Sequence, residues 1–394
     1  MGKYLFFVFF VSFFILRGQK TNLPIIAFQG IPENCNQESH FKKLKEAGFN
    51  VNLNMYSSVP AAIEALQLAE KMDVKIILSV PELKGNPEKI VKIFKNYPSF
   101  LGYYVEDEPN ILRFSELSTI VTQIRKDDSK HFIYINLMPT YAGKDFYMTE
   151  SYDDYVKRFI TEVKSGLISF DHYPIINNTV RKDFYENLEV VRTNAYKYGL
   201  SFWAFACTAI HFAYKEPTLA SIKLQQFGNL LYGAQGLQYY TYWTVNNQHW
   251  KENNYSYAIV DDKGNPTPTF SIVRDVNKQI QRLDWVFSGA KSDAVFHTGT
   301  NIPEGTKKLY SVPEQFKFFT TYGNDAIVAI MSNGKNKFVI VQNKSLTENI
   351  RLEYQPKMRM SKVDNNTGKS MELSLLKKYN DRILPGDIIV FAYN

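Results

Sequence analysis

Eight short β-rich runs, each followed by a stretch with helical periodicity, constrain this chain more than any other feature. They fall at residues 24–28, 50–55, 75–80, 101–106, 132–137, 167–172, 201–206 and 236–243. Strands alternating with helices build a parallel sheet covered by those helices. Eight such units across about 250 residues have the size of a closed (β/α)8 barrel. The linking segments support the helices: residues 61–71, Ala-Ala-Ile-Glu-Ala-Leu-Gln-Leu-Ala-Glu-Lys, combine strong helix formers with apolar residues three and four apart. A doubly wound open sheet is the rival arrangement. It should end after fewer repeats and carry a glycine-rich phosphate loop after its first strand, which Phe28-Gln29-Gly30-Ile31-Pro32 is not.

The repeats stop at a helical segment, 271–286, and the pattern changes. Runs at 326–330, 337–342, 349–354 and 387–393 are divided by Asn-Gly-Lys-Asn, Asp-Asn-Asn-Thr-Gly and Leu-Pro-Gly-Asp turns. They predict an antiparallel β-sandwich of about 100 residues. The chain therefore divides into a barrel over 22–288 and a sandwich over 290–394. No low-complexity linker separates them, so the two should pack together.

Residues 1–18 have the form of a secretory signal peptide: Lys3 precedes an apolar run from Tyr4 to Leu16, and Arg17 and Gly18 follow. The run is short for a membrane span. An uncleaved anchor is the alternative, since the residues before a cut at Gln19 fit the cleavage pattern imperfectly. The expected location is secreted or periplasmic, with no stable membrane insertion after cleavage. Only Cys35 and Cys207 are present, so one disulfide is formally possible and a stapled framework is excluded. The net charge of +7 is spread among nearly as many carboxylates and excludes no solvated face. It gives no basic block for nucleic acid; the one basic cluster, 357–362, lacks interleaved aromatics. Aromatic content is high at 15%, with 26 Tyr and 29 Phe, which can line a cleft for sugars or fill a core.

In a barrel all strands finish on one side, so their last residues share a pocket. These are Gln29 after the first strand, Asn54 and Tyr56 after the second, Glu82 after the third and Asn136 after the fifth. Asp171, His172 and Tyr173 end the sixth, residues 207–211 follow the seventh, and Tyr240, Tyr242 and Trp243 end the eighth. Trp203 adds a possible stacking platform. The fourth strand is the most pointed: Gly102-Tyr103-Tyr104-Val105 breaks into Glu106-Asp107-Glu108 and then Pro109. Three adjacent carboxylates are costly unless the strand ends there and solvent or substrate takes over. Carboxylates, amides, His and aromatics make a sugar-like lining. No paired His or Cys has metal-ligand spacing, and no cofactor is expected.

Residues 97–104, Tyr-Pro-Ser-Phe-Leu-Gly-Tyr-Tyr, leading into Asp107-Glu108-Pro109, resemble the fourth-strand motif of clan A glycoside hydrolases in an Asp-Glu-Pro variant. Ala47-Gly48-Phe49-Asn50, Asp171-His172-Tyr173-Pro174 and residues 262–268 agree in order and spacing. The resemblance runs from about residue 24 to 286 and more loosely into the sandwich. It implies a glycosidase barrel with Glu108 as general acid/base and Asp107 in the sugar-contacting place usually held by Asn. Crowding by Glu106 and Asp107 should raise the pKa of Glu108 so that it holds a proton near neutrality. A helix cap or a Lys partner is the structural alternative for Glu108.

One departure stands out. The clan's nucleophile is a Glu ending the seventh strand, and residues 201–208, Ser-Phe-Trp-Ala-Phe-Ala-Cys-Thr, contain no carboxylate. Asp171 is the best replacement; Glu106 and Glu82 are weaker, and Cys207 has no evident base. The expected function is a secreted glycoside hydrolase using Glu108 and Asp171 on a poly- or oligosaccharide. A glycan-binding protein on a barrel that has lost catalysis is the competing expectation. The separation of those two carboxyl groups decides much: about 5–5.5 Å suits a retaining mechanism and about 6.5–9.5 Å an inverting one.

Overall fold

The computed structural model describes residues 23–393, so the expected signal peptide at 1–18 lies outside the described residues. Eight parallel strands close into a barrel: Ile25–Phe28, Val51–Met55, Lys75–Ser79, Phe100–Asp107, Phe132–Leu137, Leu167–Phe170, Ser201–Cys207 and Leu237–Tyr240. Closure is direct, since Ile26 lies opposite Gln238 on one side and Val51 on the other. Alternation along the strands sorts the side chains. Phe28, Leu53, Ile77, Tyr104, Tyr134 and Phe205 fill the interior, while Ala27, Ile76, Leu78, Tyr103 and Ile133 pack against the helical layer.

The helices follow their local signals. Val59–Lys71 starts where the Ser58 hydroxyl accepts from the Ala61 N–H, and it buries Ala62, Ala65, Leu66 and Ala69, spaced to one face. Leu219–Leu231 opens with a capping box on Thr218 and Ser221 and is buried almost all round. The reason is its position between barrel and sandwich. Gln342 of the sandwich donates to the Leu224 carbonyl at 3.1 Å, and Lys223 pairs with Asp387. Gly386 approaches so closely that a Cβ there would lie 2.2 Å from the Ala220 carbonyl oxygen. The barrel and sandwich are packed together, as the lack of a linker implies.

Beyond the helices Pro268–Arg282 and Asp284–Phe287, two antiparallel sheets face each other. The six-stranded sheet orders Lys291–His297, Ala326–Asn333, Asn336–Asn343, Ile388–Tyr393, Met360–Val363 and Ser370–Glu372; the other has Phe316–Thr320, Ile350–Pro356 and Tyr379–Ile383. Their inner faces meet through Phe316, Tyr354 and Phe391, with the last two ring centroids 4.7 Å apart. Four of these nine strands carry the runs that the sequence marks. The other five were missed because charged residues interrupt their apolar alternation, as in Tyr379-Asn380-Asp381-Arg382-Ile383. The basic cluster at 357–362 is part of this surface: Lys362 pairs with Asp381 at 2.7 Å and Arg359 with Glu372 at 2.8 Å. Cys35 and Cys207 are both free thiols. Among the described residues no helix is long and apolar enough to cross a membrane.

Candidate active site

The fourth strand sends Tyr103 outward, where its hydroxyl donates to Asp128 Oδ2 at 2.7 Å, and Tyr104 inward against Phe28 and Tyr134. The register then slips: Tyr104 lies opposite Tyr134, but Glu106 lies opposite Ile135, leaving Val105 bulged. A bulge re-aims every side chain beyond it. Glu106 therefore turns to the rim, where Lys84 holds it at 2.6 Å and Arg113 at 3.3 Å. Asp107 takes the inward place opposite Asn136. Glu108 leaves the strand in a left-handed conformation, φ 47°, uncommon for a residue with a side chain. It is pinned there: its N–H donates to the Asn136 carbonyl at 2.8 Å, and the Pro109 carbonyl accepts from the Tyr155 hydroxyl at 2.6 Å. Strain held by surrounding bonds is a feature of functional positions.

Asp171 follows the last residue of the sixth strand and is only 6% exposed. Asn136 Nδ2 donates to its Oδ1 at 2.8 Å. The carboxyls of Glu108 and Asp171 lie within hydrogen-bonding reach of each other. Two carboxylates cannot make that contact; one must carry a proton. Among the described residues no Lys, Arg or His forms an ion pair with Asp107, Glu108 or Asp171, so no counter-charge offsets the repulsion.

Electrostatics follow from this crowding. Burial raises the Asp171 carboxyl well above the ordinary carboxylate range, the charges of Glu108 and Asp107 add to it, and the Asn136 bond opposes it. Glu108 is also raised by desolvation, while its bond with Asp171 works the other way. Asp107 is pushed up to about 6, first by desolvation and then by the charge of Glu108. Asp107 and Glu108 both reach solvent, but the walls of the mouth limit how well water can stabilise their charges. The pair thus titrates as a unit that shares one proton, and burial places that proton on Asp171 at rest. Glu106 is not what raises Glu108: its ion pairs compensate its charge, and desolvation is what lifts the Glu108 carboxyl.

The opposite side of the mouth is aromatic. Tyr173 packs against Tyr240, ring centroids 5.3 Å apart, and against Tyr214 at 5.9 Å. His211 is stacked between Tyr214 and Tyr255 at 4.6 and 4.5 Å. Burial lowers the pKa of His211, so it sits there neutral at neutral pH. Where the seventh strand ends, Cys207 offers a thiol that burial pushes up to about 12, an inert group rather than a nucleophile.

The structure brings Asp107, Glu108, Asn136, Asp171, Tyr173 and Tyr240 together, since the last two feel the charge of Asp171. Several expected lining residues lie elsewhere. Trp203 is 1% exposed and packs on Phe132, the first residue of the fifth strand; a Cβ on Gly236 would strike its ring. It fills the floor of the barrel. Tyr242 packs outward on Phe49 and Trp243 on His40, because the eighth strand ends at Tyr240 and its alternation does not continue. His172 is buried beneath Tyr141, with Nε2 3.5 Å from Asp183. Gln29 follows the first strand, half-buried, with a buried Oε1 that has no hydrogen-bond partner. Asn54 is committed to the Ile31 carbonyl at 2.8 Å. Sequence reasoning missed Tyr141, which lies under Arg181 at 3.9 Å and feels the charge of Asp171. It also missed Tyr134, Ser169 and Gln238, each two residues before a mouth residue on its strand and so on the same inward face. That spacing was the available signal. No cluster of His, Cys, Asp and Glu suited to a metal occurs among the described residues.

No protein-family model matches the sequence, and no curated protein is similar to it in sequence. Solved structures are similar in fold. A glycoside hydrolase superposes with a TM-score of 0.58 at 9% identity, covering 94% of this chain and 92% of its own. A family 5 glycoside hydrolase from Bacteroides vulgatus gives 0.56 at 9% identity, covering 94% and 88%. A β-galactosidase from the psychrophilic Marinomonas ef1 gives 0.51 at 8% identity, covering 66% of this chain and 60% of its own. In fold, this chain is a (β/α)8 barrel followed by an antiparallel sandwich, and in fold it is similar to these hydrolases.

Proposed function

We propose that this protein is a secreted glycoside hydrolase that cleaves an O-glycosidic bond in a poly- or oligosaccharide by acid catalysis from the Glu108–Asp171 pair. The observation that carries this reading is the contact between a solvent-facing carboxyl and a buried one, with no counter-cation, at the mouth of a barrel. Such a pair keeps a proton near neutral pH, which is what protonation of a leaving oxygen requires. Glu108 reaches solvent and meets the glycosidic oxygen. The shared proton passes from Asp171 to Glu108 and then to the departing oxygen as the C–O bond breaks. Both carboxyls are then ionised and face the oxocarbenium-like sugar; water adds to the anomeric carbon and gives its proton to the pair, which restores the shared proton. Carboxyls in contact are closer than the about 5–5.5 Å of a retaining pair and the about 6.5–9.5 Å of an inverting one, so the two act together as the acid rather than as acid and nucleophile. Asp107 contacts sugar hydroxyls, and Tyr173 and Tyr240 present the apolar wall. The leader-like residues 1–18 support secretion, either out of the cell or into a periplasm.

Cys207 favours a second reading. With a neutral thiol where a carboxylate nucleophile would stand, the barrel could bind a glycan without cutting it. A glycan panel separates the two: hydrolase activity predicts a newly released reducing end with at least one member, detected by product analysis. Saturable binding with no product above a boiled control would favour the binder.

A further inference from the structure

Beneath the carboxyl pair, four buried side chains form a line of hydrogen bonds up the barrel interior. The Tyr134 hydroxyl donates to Gln238 Oε1 at 2.7 Å, and Gln238 Nε2 donates to Ser169 Oγ at 2.9 Å. Ser169 Oγ donates to Asn136 Oδ1 at 2.9 Å, and Asn136 Nδ2 donates to Asp171 Oδ1 at 2.8 Å. The fifth, sixth and eighth strands each contribute, and every bond runs in the same sense, toward Asp171.

That polarity has a chemical consequence. The carbonyl of Asn136 is occupied by Ser169, so only its N–H can face Asp171. An N–H directed at Oδ1 excludes a proton from that oxygen. A proton on Asp171 must then sit on Oδ2, and the neighbour that can accept it is Glu108. Reversing the line would turn the Gln238 amide around and give up the Tyr134 bond to its Oε1. We propose that Tyr134, Gln238, Ser169 and Asn136 are positioning residues that hold the shared proton on Asp171 Oδ2, aimed at Glu108. None of the first three touches the mouth, and their polarity inside an apolar floor has no use in packing alone.

Other ionisable groups face the pair. The fourth strand supplies Asp107; Tyr141 follows the fifth; Cys207 ends the seventh and Tyr240 the eighth. Tyr173 and Tyr214 lie beside Asp171. Of these only Asp107 titrates near the pair, and none of the variants below touches it.

The proposal rests on Glu108 and Asp171 being the working pair, but its test needs no substrate. Full-length protein labelled with ¹³C at Asp and Glu carboxyls is titrated by NMR, comparing wild type with Ser169→Ala and Tyr134→Phe. Without the Ser169 hydroxyl, Asn136 can turn its carbonyl toward Asp171 and take the proton. Glu108 then loses its donor, and its midpoint should rise by about 1 pH unit, a tenfold change in proton affinity. Tyr134→Phe should shift it in the same direction by less. A Glu108 midpoint in Ser169→Ala that superimposes on wild type overturns the proposal; if that variant does not fold, Tyr134→Phe decides on the same readout. A shift in a protein that cleaves no glycan keeps the positioning role and removes the glycosidase reading.

Discussion

The two sides of the barrel mouth are made of opposite materials. Where the fourth and sixth strands end, Asp107, Glu108 and Asp171 crowd together without a counter-charge, and water or a shared proton must relieve them. Where the seventh and eighth strands end, Cys207, His211, Tyr240 and Tyr255 are neutral, and His211 packs on Tyr240 and stacks on Tyr255. A barrel lets this happen because each strand delivers its last residues independently. The carboxyls are therefore confined to one wall, while the other offers flat surface. The contrast also explains how the barrel can lack a carboxylate on the seventh strand and still hold two carboxyls in contact: the second comes from the sixth.

The contrast can be broken or sharpened by substitution. The largest expected effect is on stability, from Trp203→Ala. If Trp203 fills the floor, the cavity left behind should cost about 3–5 kcal/mol in chemical denaturation; a cost near zero would return Trp203 to the mouth as a sugar platform. Next is Asp171→Asn, which removes the proton reservoir and should reduce turnover of a cleaved glycan about 10²-fold.

Asp128 braces the acidic strand from outside through Tyr103. Burial works against its charge, but bonds from Tyr103, the Lys130 and His131 N–H groups and the His131 ring outweigh it and hold it at about 2. Its pKa is depressed on folding, so its contribution is complete above the ordinary Asp pKa of about 3.9 and is lost as pH falls toward 2. Asp128→Ala should cost about 1–3 kcal/mol at pH 7, because the Tyr103 hydroxyl and two N–H groups lose their acceptor. The difference from wild type should shrink on acidification; a constant difference down to pH 2 would contradict the assigned ionisation. The smallest effect belongs to the neutral wall. Cys207→Ala should leave turnover within about twofold, and the wild-type thiol should react slowly with iodoacetamide at neutral pH.

The barrel was legible because a closed parallel sheet needs eight apolar runs, and those runs sit in the sequence within three residues of the strands. That Glu108 and Asp171 would share the mouth was legible for the same reason: both stand at the C-terminal end of such a run. Height and bulges were not. Period two gives the face of Trp203 but not that it lies four residues below its strand end, on the floor. Nothing in Tyr104-Val105-Glu106 announces the bulge that sends Glu106 to Lys84 and Arg113 instead of to Glu108. Tyr242 and Trp243 were misplaced because the eighth strand stops sooner than its apolar run. The buried line from Tyr134 to Asn136 was within reach of alternation, yet Ser and Gln inside a strand carry no mark of what they bond.

The account turns on Glu108. On any glycan that the wild-type protein cleaves, the initial rate of reducing-end release should fall by about 10²–10⁴-fold in Glu108→Gln, with the circular dichroism spectrum and melting curve retained. A folded Glu108→Gln protein that still cleaves the glycan at the wild-type rate would contradict it.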